Sequence, residues 1–358
     1  MSLKINIERT KESRLSELDF DNIPFGKIFT DHMFVVDYVD GAWVNPHICP
    51  LQAIPTHPGN LAWHYGQAIF EGMKATIAPD GTPLLFRAEK HIERLNASAY
   101  RMCMPELPEE LFLDAVSKMV YLEKDWIPPQ EGSALYIRPM MYATDESIGV
   151  RASATYKFII VCLPVGPYYS KPVKLKAAEK YVRAVKGGVG EAKTAGNYAA
   201  SLLPARIAQS EGYDQMMWLD AHEFKYIQEV GTMNIFFVIG DEIITPATDG
   251  AILKGITRMC IIDLLKAEGK TVVERPITID EVVAAYEAGQ LKEVFGSGTA
   301  AVVAPVSHIK YKGNEMILNP ESYKVASHVK AQINGMRNLS IADPFGWIQP
   351  VSADVLDK

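Results

Sequence analysis

The segment Pro164 to Pro172, which contains Gly166 and the pair Tyr168-Tyr169, interrupts a regular succession of strands and helices near the middle of the 358-residue chain. Proline lacks a backbone N–H and glycine is loosely specified, so such a stretch does not continue a buried element. It reads as a linker at about 164–172, dividing the chain into residues 1–170 and 171–358. Both parts fall within the ordinary size range of a domain.

Periodicity fills in the two halves. In the first, Met33 to Tyr38 reads as a strand and Asn45 to Gly59, rich in Pro and His, as a loop. Over Glu109 to Trp126, residues Phe112, Ala115, Val116, Met119 and Leu122 recur at helical spacing, and Pro128-Pro129 ends the helix. Ala134 to Met141 and Tyr156 to Leu163 read as strands, the second apolar throughout and therefore expected to be buried on both faces. After the linker come a strand at Val173 to Ala178, a glycine loop at Gly187 to Gly190, and a helix from about Tyr198 to Glu211 ending at Gly212. Phe224 to Glu229, Asn234 to Ile239 and Glu242 to Thr245 follow as strands, the last two joined by the turn Gly240-Asp241. Helices are expected from Ile256 to Gly269 and from Ile279 to Ala288. Strands and helices alternate in the first half, and hairpins suggest a mixed sheet in the second.

Composition removes several function classes. A 48% apolar fraction can fill two cores, whereas a net charge of −7 with acids and bases interspersed offers no basic stripe for nucleic acid. The longest apolar runs, near Phe158 to Val165 and Ile235 to Ile239, fall well short of a membrane span, and the charged N-terminus has no apolar signal core. Cys49, Cys103, Cys162 and Cys260 are far apart, and no histidines stand at metal-binding spacing, so no metal is expected. These readings place the chain in the cytoplasm.

Gly187-Gly188-Val189-Gly190-Glu191-Ala192-Lys193-Thr194 superficially suits a phosphate-binding loop of nucleotide hydrolases. That loop needs glycine directly before its lysine, where Ala192 stands, and no apolar strand leads into it. The longer stretch GGVGEAKTAGNY, Gly187 to Tyr198, instead resembles the lysine segment of the branched-chain aminotransferases, pyridoxal-phosphate (PLP) enzymes of fold type IV. Phe70-Glu71-Gly72-Met73-Lys74, His91-x-x-Arg94-Leu95, Tyr136-Ile137-Arg138-Pro139, Glu229-Val230-Gly231-Thr232-Met233-Asn234, Gly255-Ile256-Thr257-Arg258 and Phe295-Gly296-Ser297-Gly298-Thr299-Ala300 resemble further blocks of that family in the same order.

The resemblance implies a two-domain α/β protein of the α+β type, with a small N-terminal domain and a larger C-terminal domain holding a mixed, barrel-like sheet. It makes Lys193 the Schiff-base lysine and Glu229 the partner of the pyridine nitrogen. The ring withdraws electrons only while that nitrogen is protonated, and a charge-assisted bond from Glu229 would contribute on the order of 1.5–3 kcal/mol. By the same resemblance Tyr198 bonds the phenolic oxygen, while Arg94, the amides of Ile256 and Thr257, the Thr257 hydroxyl and Thr299 hold the phosphate. Anions suit a helix N-terminus and a guanidinium.

The family's apolar pocket maps onto Phe25, Tyr65, Phe70 and Tyr168, with Val150 contributed by a second subunit, which implies a homodimer. Tyr136 and Arg138 match the pair that receives glutamate's distal carboxylate, and Thr232 and Ala300 present backbone groups. The expected reaction is transamination of leucine, isoleucine and valine with 2-oxoglutarate. D-amino-acid aminotransferase and aminodeoxychorismate lyase share the fold and stand as alternatives. Animal members carry a CxxC pair where this chain has Ala301 and Ala304, which excludes thiol regulation there.

Overall fold

The computed structural model describes residues 3–166 and 171–357, so Tyr168 and part of the expected linker lie outside the described residues. The chain forms two compact units. One comprises Met1–Tyr168, Ala192–Ala195 and Gly335–Lys358, the other Tyr169–Glu191 and Gly196–Asn334. They differ from the ranges 1–170 and 171–358 by two returns of the chain to the first unit. Thr194 bridges to Ile69, and the late strand Ile348–Pro350 pairs with Pro83–Phe86.

Among the described residues the first unit holds a nine-stranded sheet. Its path runs Asn6–Ile7, Ala42–Pro50, His32–Val39, Tyr156–Val165, Ala134–Ala143, Met73–Ile77, Pro83–Phe86, Ile348–Pro350, and Ala68–Phe70 also pairs with Ala134–Ala143. Helices Ala88–Arg101 and Glu109–Leu122 share one core with this sheet, where Leu95, Phe112, Val116, Met119, Phe158 and Ile160 are almost wholly buried. Burying each large side chain contributes roughly 1.5–3 kcal/mol.

Two sequence expectations change here. The stretch expected as a loop from Asn45 to Gly59 begins as the strand Ala42–Pro50. Its register against His32–Val39 shifts between Val35 and Asp37, with Asn45 at φ 53°. Pro46 thus falls in a bulge where its missing N–H costs the ladder little. The apolar strand Tyr156–Val165 buries Tyr156, Phe158, Ile160 and Cys162, whereas Lys157, Ile159 and Val161 on its other face are only half-buried. Apolar character alone did not distinguish the two faces.

Among the described residues the second unit's sheet has nine strands and is mixed, as expected. Its path runs Ile227–Val230, Gln215–Leu219, Val173–Ala177, Val302–Tyr311, Leu291–Gly298, Asn234–Ile239, Glu242–Thr245, Val272–Glu274, and Asn314–Ile317 pairs with Val302–Tyr311. Ile227–Val230, at one end of that path, turns directly into Asn234–Ile239, well along it. Val230 and Met233 exchange backbone hydrogen bonds of 2.9 Å, with Gly231 at φ 55° between them. A sheet whose end strand is tied back in this way curls into a half-barrel.

The helix expected from Tyr198 to Glu211 is split into Ala195–Ala199 and Leu202–Ser210. In an unbroken helix the ring of Pro204 would meet the carbonyl of Ala200. The strand expected from Phe224 starts only at Ile227. The Asp220 carboxylate accepts backbone N–H groups from His222, Glu223, Lys225 and Tyr226, which winds those residues around it.

Candidate active site

In the first unit, three interactions fix the backbone around Lys193. Its N–H donates to Ser98 Oγ at 2.9 Å, its carbonyl accepts from Phe70 N–H at 3.0 Å, and Thr194 Oγ1 donates to the Ala68 carbonyl at 2.8 Å. The ammonium is thus presented from a braced peptide, with Nζ 4.8 Å from the centre of the Phe70 ring. The Arg138 guanidinium stands 4.8 Å from the same ring, and its Nη2 donates to the Tyr136 hydroxyl at 3.0 Å. Phe25 meets Tyr136 edge-on at 6.3 Å.

This arrangement brings together Phe25, Phe70, Tyr136, Arg138 and Lys193. Gly72 makes it sterically possible, because a Cβ there would lie 2.1 Å from the Tyr136 hydroxyl oxygen. Arg138 Nε is buried without a hydrogen-bond partner among the described residues. An arginine held mainly on aromatic faces can move without breaking a fork of ion-pair bonds. Tyr65 and Val150 are exposed in the single chain, at 42% and 89%. Arg94, on the helix Ala88–Arg101, donates to the fully buried Glu71, which also meets His91.

In the second unit Glu229 is buried on the strand Ile227–Val230. Its Oε1 accepts from Leu253 N–H at 2.9 Å and from Asn234 Nδ2 at 3.3 Å, and Oε2 forms an ion pair with Arg183 Nε at 2.8 Å. Arg183 also donates to the carbonyls of Ala251 and Gly190, tying the carboxylate to the loop that precedes Lys193. Asn234 Nδ2 further donates to the Leu253 carbonyl at 2.9 Å. A Cβ on Gly255 would lie 1.9 Å from Asn234 Oδ1, so the backbone beginning the helix Ile256–Ala267 passes directly over that amide.

No side chain caps this helix at Gly255, and Ile256 and Thr257 in its first turn are buried. Tyr198 is half-buried in Ala195–Ala199, and Asn197 Nδ2 donates to the Val189 carbonyl at 2.8 Å, fastening the glycine loop. Thr299 and Ala300 are half-buried just beyond Leu291–Gly298, whereas Thr232 is exposed in the turn after Val230. Ser297 Oγ is buried and has no hydrogen-bond partner among the described residues.

These features fit a phosphorylated pyridine. A helix N-terminus without a side-chain cap suits a dianion, a braced buried carboxylate suits a ring nitrogen, and an orphaned hydroxyl near Thr299 has a donor to spare. Sequence reading assigned no role to Glu71, Ser98, Arg183 or Asn234. Glu71 and Asn234 lie inside the motif blocks, which was the available signal. Ser98 and Arg183 lie outside them and were found only through their contacts.

Residues 68–309 match the family described as Amino-transferase class IV. The chain belongs to the class IV aminotransferases. It is 47% identical to the Bacillus subtilis (strain 168) protein "Branched-chain-amino-acid aminotransferase 2" over 98% of each chain. It is 49% identical to "Branched-chain-amino-acid transaminase 1" of the same organism, over 95% of this chain and 98% of that one. Within the class it is therefore a member of the branched-chain-amino-acid aminotransferases, which are transferases.

Its fold matches the crystal structure of the T.th. branched-chain amino acid aminotransferase complexed with N-(5'-phosphopyridoxyl)-L-glutamate. The TM-score is 0.72 at 25% identity, covering 88% of this chain and 98% of that chain. This agrees with the α/β, fold type IV expectation. Among the described residues, no helix of this class IV aminotransferase is long and apolar enough to cross a membrane, and no group of three or more His, Cys, Asp or Glu could hold a metal ion.

Proposed function

We propose that the protein transfers the amino group of branched-chain L-amino acids to 2-oxoglutarate, giving branched-chain 2-oxo acids and L-glutamate by a ping-pong route. The observation that carries this reading is the first-unit cluster, in which a backbone-braced Lys193 and an Arg138 bonded to Tyr136 both lie 4.8 Å from the centre of the Phe70 ring. The family match and the phosphopyridoxyl-glutamate named with the T.th. enzyme support it. When bound, PLP would supply an electron-withdrawing ring and an aldehyde carbon that accepts the amino group.

The chain's own residues divide the remaining tasks. Lys193 Nζ would hold the cofactor covalently and, as a free amine, would carry the proton from the substrate Cα. Glu229, braced by Arg183, Asn234 and Leu253, holds a proton at the pyridine nitrogen. Tyr198 donates to the phenolic oxygen. Arg94, Thr299, the Ile256 and Thr257 amides and the Thr257 hydroxyl hold the phosphate.

Phe25, Tyr65, Phe70 and Tyr168 give the substrate side chain an apolar wall. Val150, 89% exposed, completes that wall in a second copy of the chain, so the active form is a homodimer. Arg138 and Tyr136 take glutamate's distal carboxylate, and the Thr232 and Ala300 backbones meet the substrate's own carboxylate. The substrates are small amino and oxo acids, and the setting is cytoplasmic.

The test incubates the protein with PLP, 2-oxoglutarate and either L-leucine or D-alanine, and measures which glutamate enantiomer forms. L-glutamate from L-leucine is expected. Activity confined to D-alanine would transfer the protein to the D-amino-acid aminotransferases. Borohydride reduction followed by peptide mapping should place the cofactor on Lys193, and label on another lysine would reject the site.

A further inference from the structure

The helix Ala88–Arg101 reaches both the anion-binding arginine and the lysine, and its anchor is a carboxylate to which the mechanism above gives no task. Glu71 is 0% exposed. Arg94 donates to it twice, Nε to Oε1 at 2.8 Å and Nη2 to Oε2 at 2.7 Å, and His91 Nδ1 lies 2.8 Å from Oε2. Glu71 directly follows Phe70, whose N–H holds the Lys193 carbonyl. Four residues beyond Arg94, Ser98 Oγ donates to the Arg94 carbonyl at 3.0 Å and accepts the Lys193 N–H at 2.9 Å. Each of these groups belongs to the first unit.

Two parallel N–H···O bonds fix the plane of a guanidinium, where a single bond would leave it free to swing. The freedom of a long side chain is then lost on folding and not on binding its anion. Burial alone would raise the Glu71 carboxyl. The Arg94 charge and its hydrogen bonds, helped by His91, more than reverse this and hold the group well below the usual carboxylate range. Burial makes His91 a weaker base despite its bond to Glu71.

We propose that Glu71 is a positioning residue that sets the aim of Arg94 toward the cofactor phosphate and, through the same helix and Ser98, holds that arginine in register with Lys193. This rests on the reading in which Arg94 serves the phosphate. An opposing effect exists, since Glu71 offsets part of the Arg94 charge. If that offset outweighed orientation, removing the carboxylate would strengthen phosphate binding, which gives the proposal a definite sign.

The experiment titrates full-length protein, freed of cofactor, with PLP and with pyridoxal, which lacks the phosphate. Glu71→Gln should weaken PLP binding by at least about tenfold while pyridoxal binding changes by less than about twofold, the scale of losing charge-assisted hydrogen bonds. In an Arg94→Ala background the same substitution should have no further effect on PLP. Should Glu71→Gln not fold, Glu71→Asp keeps the charge but shortens the reach, and should show a smaller loss in the same pattern.

Unchanged or tighter PLP binding in these variants overturns the proposal, as do equal losses for PLP and pyridoxal or a loss that persists without Arg94. If Arg94→Ala alone leaves PLP affinity unchanged, the role of Arg94 falls and this inference falls with it. If Arg94→Ala weakens PLP and Glu71→Gln does not, only the inference falls.

Discussion

Glu229 in the second unit and Arg138 in the first are held in different ways. In the second unit Glu229 is bound by a backbone N–H, an amide and a guanidinium, all from segments that are themselves tied down. In the first unit the working end of Arg138 lies against the rings of Phe70 and Tyr136, with one hydroxyl accepting from it and Nε without a partner among the described residues. The difference matches what the proposed function asks of each group. Under that reading, a carboxylate that fixes the protonation of a ring would have to stay in place, whereas an arginine that serves a dicarboxylate and withdraws from an aliphatic side chain would have to move easily. Lys193 combines both requirements, with a braced backbone and a long side chain near an aromatic face.

The largest effect expected from this contrast comes from Lys193→Ala, which should abolish turnover with every substrate, read as the loss of L-glutamate production from L-leucine. Retained turnover would mean that neither unit is organised around this lysine. Glu229→Gln should keep the cofactor bound but lower kcat by at least about tenfold, since about 1.4 kcal/mol is one decade. Full activity would show that Glu229 is not needed for ring protonation.

Arg138→Met should cut kcat/KM for glutamate by about 10–100-fold, the value of a charge-assisted hydrogen bond, and leave leucine within about threefold. Equal losses for both substrates would contradict a movable, substrate-selective arginine. The smallest effect concerns stability. Burial, with the charge of Arg337, lowers Lys74 to about 7. Its folded-state value lies below the unfolded one, so above pH 7 and up to about 10.4 the unfolded chain holds the extra proton and stability should rise with pH. Lys74→Met should flatten that rise in denaturation midpoints, and an unchanged slope would show that the group does not titrate as assigned.

The strand and helix pattern made much of this legible in advance. Asn234–Ile239 and Glu242–Thr245 lie where the apolar run at Ile235 to Ile239 and the Gly240-Asp241 turn put them. Ala42–Pro50 was hidden because a bulge let proline into a strand, and the break before Leu202–Ser210 because one proline outweighed a good helical pattern. The motif blocks carried Lys193 and Glu229, since chemistry restricts both the residue type and its neighbours. The braces were not legible in the same way. Arg183 and Ser98 act through partners distant in sequence, and an arginine or serine in isolation carries no sign of what it will touch.

Asn234 has a consequence for how such a protein can change over generations. One amide packs against Gly255 and holds both Glu229 and the Leu253 carbonyl, so neither position can vary alone without a collision or a lost bond. A side chain at 255 becomes tolerable only if 234 shrinks first, and a smaller residue at 234 loosens Glu229 before any benefit arrives. The shortest mutational path away from this arrangement therefore crosses a less fit intermediate, and drift at these two sites should stall while the surface around them diverges.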